Sequence, residues 1–66
     1  MRPRRSNHYT LWSGAKTSSY RSWERVISAA RWVAGETETG VRIVDDDSGE
    51  MWDVSPAGRA SLAFRA

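Results

Sequence analysis

Apolar residues recur at helical spacing through residues 20–35 of the chain. The apolar positions are Tyr20, Trp23, Val26, Ile27, Ala30, Val33 and Ala34. Steps of three and four residues place these side chains on one face of a helix. The spacing therefore predicts an amphipathic helix over residues 20–35, with Thr17, Ser18 or Ser19 as its N-cap and Gly35 as its C-terminal cap.

Strand-like segments lie on both sides of this helix. Residues 8–12 (HYTLW) alternate, and residues 41–45 (VRIVD) and 51–54 (MWDV) are likewise rich in β-branched or aromatic residues. Because a short polar segment with Gly49 separates the last two runs, they predict a β-hairpin. Residues 59–66 (RASLAFRA) alternate more weakly and predict either a further strand or a docked tail.

The order of these elements predicts an α+β fold. One amphipathic helix packs on a three- or four-stranded antiparallel sheet, in the order β-α-β-β with an optional C-terminal strand. Residues 13–19 (SGAKTSS) are predicted to be a break between the first strand and the helix. The chain then divides into a basic flexible tail (1–7), a single α+β domain (8–58) and a C-terminal strand or docked tail (59–66).

A single helix covers one face of such a sheet. The sheet residues expected to meet the helix are Tyr9, Leu11, Val41, Ile43, Trp52 and Val54. The other face has less to cover it, which leaves it open to a partner or to a second copy of the chain.

Length and composition limit how this domain is stabilised. A chain of 66 residues buries only about 60% of the surface that its unfolded form exposes. The absence of Cys excludes disulfides and thiolate metal sites, which leaves four Trp, two Tyr and one Phe as the large stabilising side chains. No apolar run approaches the ~20 residues of a membrane span, and no hydrophobic segment follows the basic N-terminus. We therefore expect a cytoplasmic protein.

Charge is distributed unequally along the chain. Residues 1–35 carry seven basic side chains against one acid, a net charge of +6, whereas residues 36–66 carry seven acids against three arginines, a net charge of −4. This asymmetry affects which partner the protein binds and how the protein is oriented on that partner, more than it affects the fold.

The acidic half contains the segment VDDDSGEMWDV, residues 44–54, which has three interpretations. A calcium loop that starts at Asp45 requires Gly at its sixth position and Glu at its twelfth, and those positions hold Glu50 and Pro56. The spacing therefore argues against a metal site. Because Asp and Gly favour tight turns, the segment is predicted first to be a solvated hairpin turn.

The third interpretation is an acidic patch that binds a basic groove on another protein. Its candidate residues are Glu36, Glu38, Asp45, Asp46, Asp47, Glu50 and Asp53. If these carboxylates lie together, they could occupy a surface that otherwise binds phosphates, because such surfaces respond to regularly spaced negative charge.

A tryptophan lies on the polar side of the predicted helix. At about 100° per residue, Trp32 is nearly opposite the apolar stripe, on an outer face with Arg21 and Arg25. Trp and Arg are frequent at binding hot spots, so these three residues are predicted to bind a partner. The alternative is that the C-terminal residues, with Leu62 and Phe64, fold over Trp32 and form a second small core.

Arginines near the N-terminus and on the helix suit phosphate contacts. They are Arg2, Arg4, Arg5, Arg21 and Arg25. They support nucleic-acid binding as an alternative function, although no helix-turn-helix, zinc-finger or RNP-like motif accompanies them.

Catalysis has little support in the chain. There is one His, no Cys and no glycine-rich phosphate loop, and no Ser lies in a nucleophile-elbow pattern. His8 is expected to be structural or exposed. We therefore expect no enzymatic activity, with no catalytic residue, no cofactor and no metal.

In size, element order and charge layout, residues 8–54 resemble two groups of small proteins. One group is small bacterial domains in which strand, helix and hairpin end in a D-x-x-G-E turn, a motif that the segment from Asp45 to Glu50 contains. The other is very short phage-encoded inhibitors, such as anti-CRISPR proteins. The resemblance implies a non-catalytic protein that occupies a surface on a larger nucleic-acid-handling protein or ribonucleoprotein. Nucleic acid itself and a homodimer are the alternative partners, and no membrane partner is expected.

Overall fold

The computed structural model describes residues 8–65, which form one helix packed on a five-stranded antiparallel sheet. The elements are β1 (Tyr9–Ser13), β2 (Lys16–Tyr20), α1 (Trp23–Thr37), β3 (Val41–Asp45), β4 (Met51–Val54) and β5 (Ala60–Phe64). The spatial order of the strands is β2-β1-β3-β4-β5. The predicted α+β class is therefore confirmed. The tail predicted for residues 1–7 lies outside the described residues.

The sheet has one strand, β2, that the sequence pattern did not indicate. The prediction of a break over residues 13–19 is wrong from Lys16 onward, because this segment pairs with β1 from Ser13↔Lys16 to Tyr9↔Tyr20. Gly14 and Ala15 form the two-residue connection, and Gly14 has the positive φ (63°) that such a turn uses. Because β2 is an exposed edge strand, its sequence carries no apolar alternation that would reveal it.

The helix begins and ends later than its apolar spacing predicts. Tyr20 belongs to β2, so the N-cap is Ser22, whose hydroxyl accepts the backbone N–H of Arg25 at 3.2 Å. Gly35 lies within the last turns, and Glu38 is the left-handed C-terminal residue, with φ 57°. The predicted N-caps and the predicted glycine cap are therefore wrong, while the buried face of the helix is the predicted one.

The core lies between α1 and one face of the sheet. Its buried residues are Leu11, Val26, Ile27, Ala30, Ala34, Val41, Ile43 and Val54. Half-buried side chains packed against them include Tyr9, Tyr20, Trp23, Val33 and Trp52. All the residues predicted to be buried thus belong to this core or pack against it. Three of the rings form a chain, since Trp23 lies edge-on to Tyr9 (centroids 5.8 Å apart) and to Trp52 (5.4 Å).

The C-terminal residues extend the sheet. β5 pairs with β4 from Val54↔Ala60 to Met51↔Phe64, with a bulge between Met51 and Trp52. The predicted further strand is therefore confirmed, and the docked-tail alternative is wrong. Arg31 ties α1 to this hairpin, because its Nε donates to the carbonyl of Gly58 at 3.0 Å.

Candidate protein-interaction surfaces

The sheet face opposite α1 carries exposed apolar side chains. Because side chains alternate along a strand, the residues between the core positions point away from the helix. We call this surface the open face; its residues are Thr10, Trp12, Arg42, Val44, Met51, Asp53 and Phe64. Trp12 is 45% exposed and Phe64 54% exposed, and both belong to the few large apolar side chains that the fold leaves in water.

The apolar part of the open face is continuous. Thr10, Trp12, Val44 and Met51 line one shallow depression of about 570 Å³, together with Arg42 and Asp46. The strand register then places Phe64 opposite Met51 at the edge of the same face. A second depression, of about 600 Å³, begins on the other side of Trp12 and runs towards Arg59 and Ser61. Trp12 therefore stands between two concave areas.

An ion pair lies in the middle of the open face. Arg42 donates from Nε to Asp53 Oδ1 at 2.9 Å and from Nη2 to Oδ2 at 3.3 Å, between directly opposed residues of β3 and β4. The hydrogen bond and the charge of Asp53 raise the pKa of Arg42. The pair leaves Asp53 neutralised by its neighbour rather than available to an acidic patch.

The acidic segment that follows β3 is a hairpin turn built by Asp45. Its carboxylate accepts the backbone N–H of Asp47 at 2.9 Å and of Ser48 at 3.3 Å. The backbone N–H of Asp45 donates to the carbonyl of Glu50 at 2.8 Å, and the carbonyl of Asp45 accepts from the N–H of Gly49 at 2.7 Å. Gly49 has φ 85°, a conformation that favours glycine. The hairpin prediction is therefore confirmed, and Asp45 holds the turn together.

The next two aspartates contact β1 and the residue that precedes it. Asp46 accepts the Thr10 hydroxyl on both carboxylate oxygens at 3.0 Å, and Asp47 Oδ2 lies 2.9 Å from His8 Nδ1. The Asp46 N–H also donates to the His8 carbonyl at 2.7 Å. His8 thus has a structural position, as expected, at the junction of β1 with the turn.

The structure does not bring the seven predicted acidic residues together. Glu36 and Glu38 lie at the end of α1, next to the start of β3, whereas the turn follows the end of that strand. A five-residue strand is about 16 Å long, so the two groups are at opposite ends of the sheet. Within the turn, Glu50 Oε2 lies 3.5 Å from Arg65 Nη1. A continuous patch of all seven is therefore absent from the described residues.

The outer face of the helix carries one large apolar side chain that is exposed. Trp32 is 68% exposed, and Leu62 and Phe64 belong to β5 instead of covering it. The alternative of a second core over Trp32 is therefore wrong. Arg25 lies seven residues earlier on the same face, about two helical turns away. Arg21 precedes the helix.

Arg21 and Arg25 lie close to each other. With Ser19 and Tyr20 they line a surface depression of about 410 Å³ at the start of α1. Arg2, Arg4 and Arg5, the other arginines predicted to contact nucleic acid, lie outside the described residues. The structure therefore brings together two of the five arginines predicted to contact nucleic acid.

Sequence reasoning did not assign the open-face residues Trp12, Val44, Met51 and Phe64 to a site. The alternation of β1, β3 and β4 contained the necessary information, since the residues next to each core residue along a strand point to the opposite face of the sheet. Apolar outward residues on adjacent strands mark a surface only once the strand order is known.

Within residues 8–65, no group of three or more His, Cys, Asp or Glu side chains is arranged to hold a metal ion. In the same part of the chain no helix is long and apolar enough to cross a membrane. Comparison with protein families, with curated proteins and with solved structures finds no match to this chain.

Proposed function

We propose that this protein is a non-enzymatic protein–protein interaction module whose open face is covered by a larger partner protein. The observation that carries the proposal is the exposure of Trp12 and Phe64 on the one sheet face that α1 does not cover. Contiguous exposed apolar surface on a small domain marks an interaction site. Aromatic side chains are also the usual anchors of protein interfaces.

A larger partner is favoured over a second copy by the size of the face. Five strands spaced about 4.8 Å apart and each about 16 Å long give a face of roughly 400 Å² in projection. A stable interface needs about 800 Å² from each partner. A larger protein can add contacts over the flanking loops, which two sheet faces stacked on each other do not reach.

The charges around the open face add specificity. Arg42 and Asp53 form a pair in its centre, and Asp46 lies beside the depression at Trp12. A partner that covers this face must match the ion pair with polar groups of its own, since a charge buried without a partner is costly. The narrower hypothesis, an inhibitor that occupies a surface of a nucleic-acid-handling protein as anti-CRISPR proteins do, is one form of this proposal.

The test is capture of a partner by tagged protein in cells of its native source, with two matched tryptophan variants. Trp12→Ser removes the aromatic anchor of the open face, and Trp32→Ser removes an exposed Trp from the opposite side of the molecule. We expect the same protein to be captured by wild type and Trp32→Ser, and captured at least about tenfold less by Trp12→Ser. Loss of capture with Trp32→Ser alone would assign binding to the helix and contradict the proposal.

A second candidate function, binding of nucleic acid, is favoured by the shared depression at Arg21 and Arg25. Phosphate contacts release counterions, so this function requires affinity that falls steeply as salt rises. A titration of labelled DNA and RNA at several salt concentrations tests it. Salt-dependent binding lost in Arg21→Gln/Arg25→Gln would support this candidate, and absence of binding at low salt would remove it.

A further inference from the structure

Strand β5 extends the sheet beyond the helix. α1 packs over β1, β2, β3 and β4, but β5 lies outside its cover. Leu62 is 37% exposed and Phe64 54% exposed, so this strand keeps large apolar side chains in water. β5 is therefore held in place mainly by its pairing with β4.

Among residues 8–65, no strand pairs with the outer edge of β5. In the turn before β5, the Ser55 N–H donates to the Arg59 carbonyl at 2.9 Å and the Ser55 carbonyl accepts from Gly58 at 2.8 Å. Residues of an antiparallel strand alternate between the two sides, so Ser61, opposite Asp53, faces β4. The N–H and carbonyl groups of Ala60 and Leu62 consequently face away from the sheet.

The two edges of the sheet differ in their chemistry. β2 has the sequence KTSSY, and a lysine and polar side chains are what proteins use to protect an edge from pairing. β5 has the sequence ASLAF, with no charge and no proline. Arg59 and Arg65 stand directly before and after it. The β5 edge thus combines an apolar centre with a positive charge at each end.

We propose that the outer edge of β5 binds an extended segment of a partner protein, apolar at its centre and acidic at both ends, as a sixth strand of the sheet. Backbone hydrogen bonds to Ala60 and Leu62 would supply the pairing, as in other cases of strand addition. Acidic residues at the ends of the segment would meet Arg59 and Arg65. Arg65 forms an ion pair with Glu50 at 3.5 Å, but its side chain is 70% exposed, so its guanidinium can also contact a carboxylate of the segment.

Charge argues against a second copy as the occupant. If two β5 strands paired antiparallel with full overlap, Arg59 of each chain would lie opposite Arg65 of the other. Like charges that face each other across a strand pair are destabilising, and the twofold symmetry produces this contact twice. A segment with acidic ends replaces both repulsive contacts by attractive ones.

The inference is separate from the proposed binding at the open face. The open face is a side-chain surface centred on Trp12, whereas the β5 edge acts through backbone groups. Trp12→Ser should therefore leave edge binding intact, so that failure of either proposal can be recognised without the other.

The test uses two synthetic seven-residue peptides, EVTVTVE and KVTVTVK, titrated into the full-length ¹⁵N-labelled protein. Six steps along a strand, from Arg59 to Arg65, span about 20 Å, which a peptide of this length matches. At low salt we expect the Glu-ended peptide to bind at least about tenfold more tightly than the Lys-ended peptide, with protection of the Ala60 and Leu62 amides from exchange. The double variant Arg59→Glu/Arg65→Glu should reverse this preference.

A pair of proline variants tests the backbone contribution. Leu62→Pro removes an outward N–H without removing a bond to β4, so it should abolish peptide binding and keep the fold. Ser19→Pro makes the equivalent change on the β2 edge and should leave binding unchanged. The proposal is overturned if neither peptide binds, if both bind equally, if shift changes map to β2, or if a dimer forms that Leu62→Pro dissociates.

Discussion

Trp23 of α1 lies edge-on against Trp52 of β4, with ring centroids 5.4 Å apart and planes inclined at 60°. Tyr9 contacts the other side of Trp23 at 5.8 Å. This row of rings joins the start of the helix to two strands that are not neighbours in the sheet. In a chain without disulfides, such aromatic contacts contribute a large part of the buried apolar area.

Replacing Trp23 should therefore destabilise the whole domain. We expect Trp23→Ala to lower the free energy of unfolding by about 3 kcal/mol, since it removes a half-buried ring and its two edge contacts. Trp32→Ala is the matched control, because that ring is largely exposed, and it should change stability by less than about 0.5 kcal/mol. Urea denaturation measures both variants, and equal losses would contradict the assigned core.

Glu38 carries a backbone strain that a substitution can relieve. Among residues 8–65 it is the one non-glycine residue with positive φ, and its N–H closes the helix on Ala34. A left-handed conformation costs a residue with a side chain about 1 kcal/mol, so Glu38→Gly should stabilise the protein by up to that amount. Glu36→Gly, within the helix, should instead destabilise it by about 1 kcal/mol. Thermal unfolding that shows the same sign for both variants would refute this account of the C-cap.

Tyr9 makes stability depend on pH in the alkaline range. Burial raises the pKa of Tyr9 above its ordinary value of 10.0, and Asp45, Glu24, Asp47 and Glu50 raise it further through their charges. The native state therefore holds this proton more tightly than the unfolded state, so stability falls as pH rises above about 10. Between about pH 9 and about pH 11, a range set by the phenol pKa, Tyr9→Phe should lose less stability than wild type, as measured by urea denaturation. An identical pH dependence in the two proteins would exclude Tyr9 as the cause.

Asp45 should matter more for stability than the aspartate beside it. Its carboxylate accepts two backbone N–H groups of the turn, so we expect Asp45→Ala to cost about 1–2 kcal/mol. Asp46→Ala removes a contact to one exposed hydroxyl and should cost less than about 1 kcal/mol. Chemical denaturation ranks the two variants, and the opposite ranking would contradict the turn described here.

The same contacts change how the acidic-patch hypothesis is tested. Reversing Asp45, Asp46 and Asp47 to Lys would disrupt the turn as well as the charge. Glu36→Lys and Glu38→Lys alter charge at the other end of the sheet, where neither carboxylate forms a hydrogen bond or an ion pair within residues 8–65. If partner capture survives this pair, the helix-end acids have no part in binding.

Periodicity was sufficient to predict the helix, the β3–β4 hairpin and the core. Each of these elements has one buried side, and burial is what produces a repeating apolar pattern in sequence. β2 carries no such pattern because it is an edge strand whose side chains, apart from Tyr20, are exposed. The predicted start of the helix was too early, because Tyr20 fits the helical spacing although it belongs to β2.

The site was predicted less well than the fold, because it depends on which strands are neighbours. The acidic residues are close in sequence but are divided between the two ends of β3. Trp12, Val44 and Phe64 are distant in sequence, and the sheet order places them on one face. The ion pair between Arg42 and Asp53 could not be predicted from the sequence either, since only the register of the hairpin places these two residues opposite each other.

The most direct test of the central claim is photo-cross-linking from the open face. A photoreactive phenylalanine analogue is placed at Val44, on the middle strand of that face, or at Ser28 on the outer face of the helix as the matched control. In cells of the native source, we predict a covalent adduct with a larger protein from position 44 that is absent from position 28. Adducts only from position 28, or adducts of this chain with itself from position 44, would contradict the claim that a larger partner covers the open face.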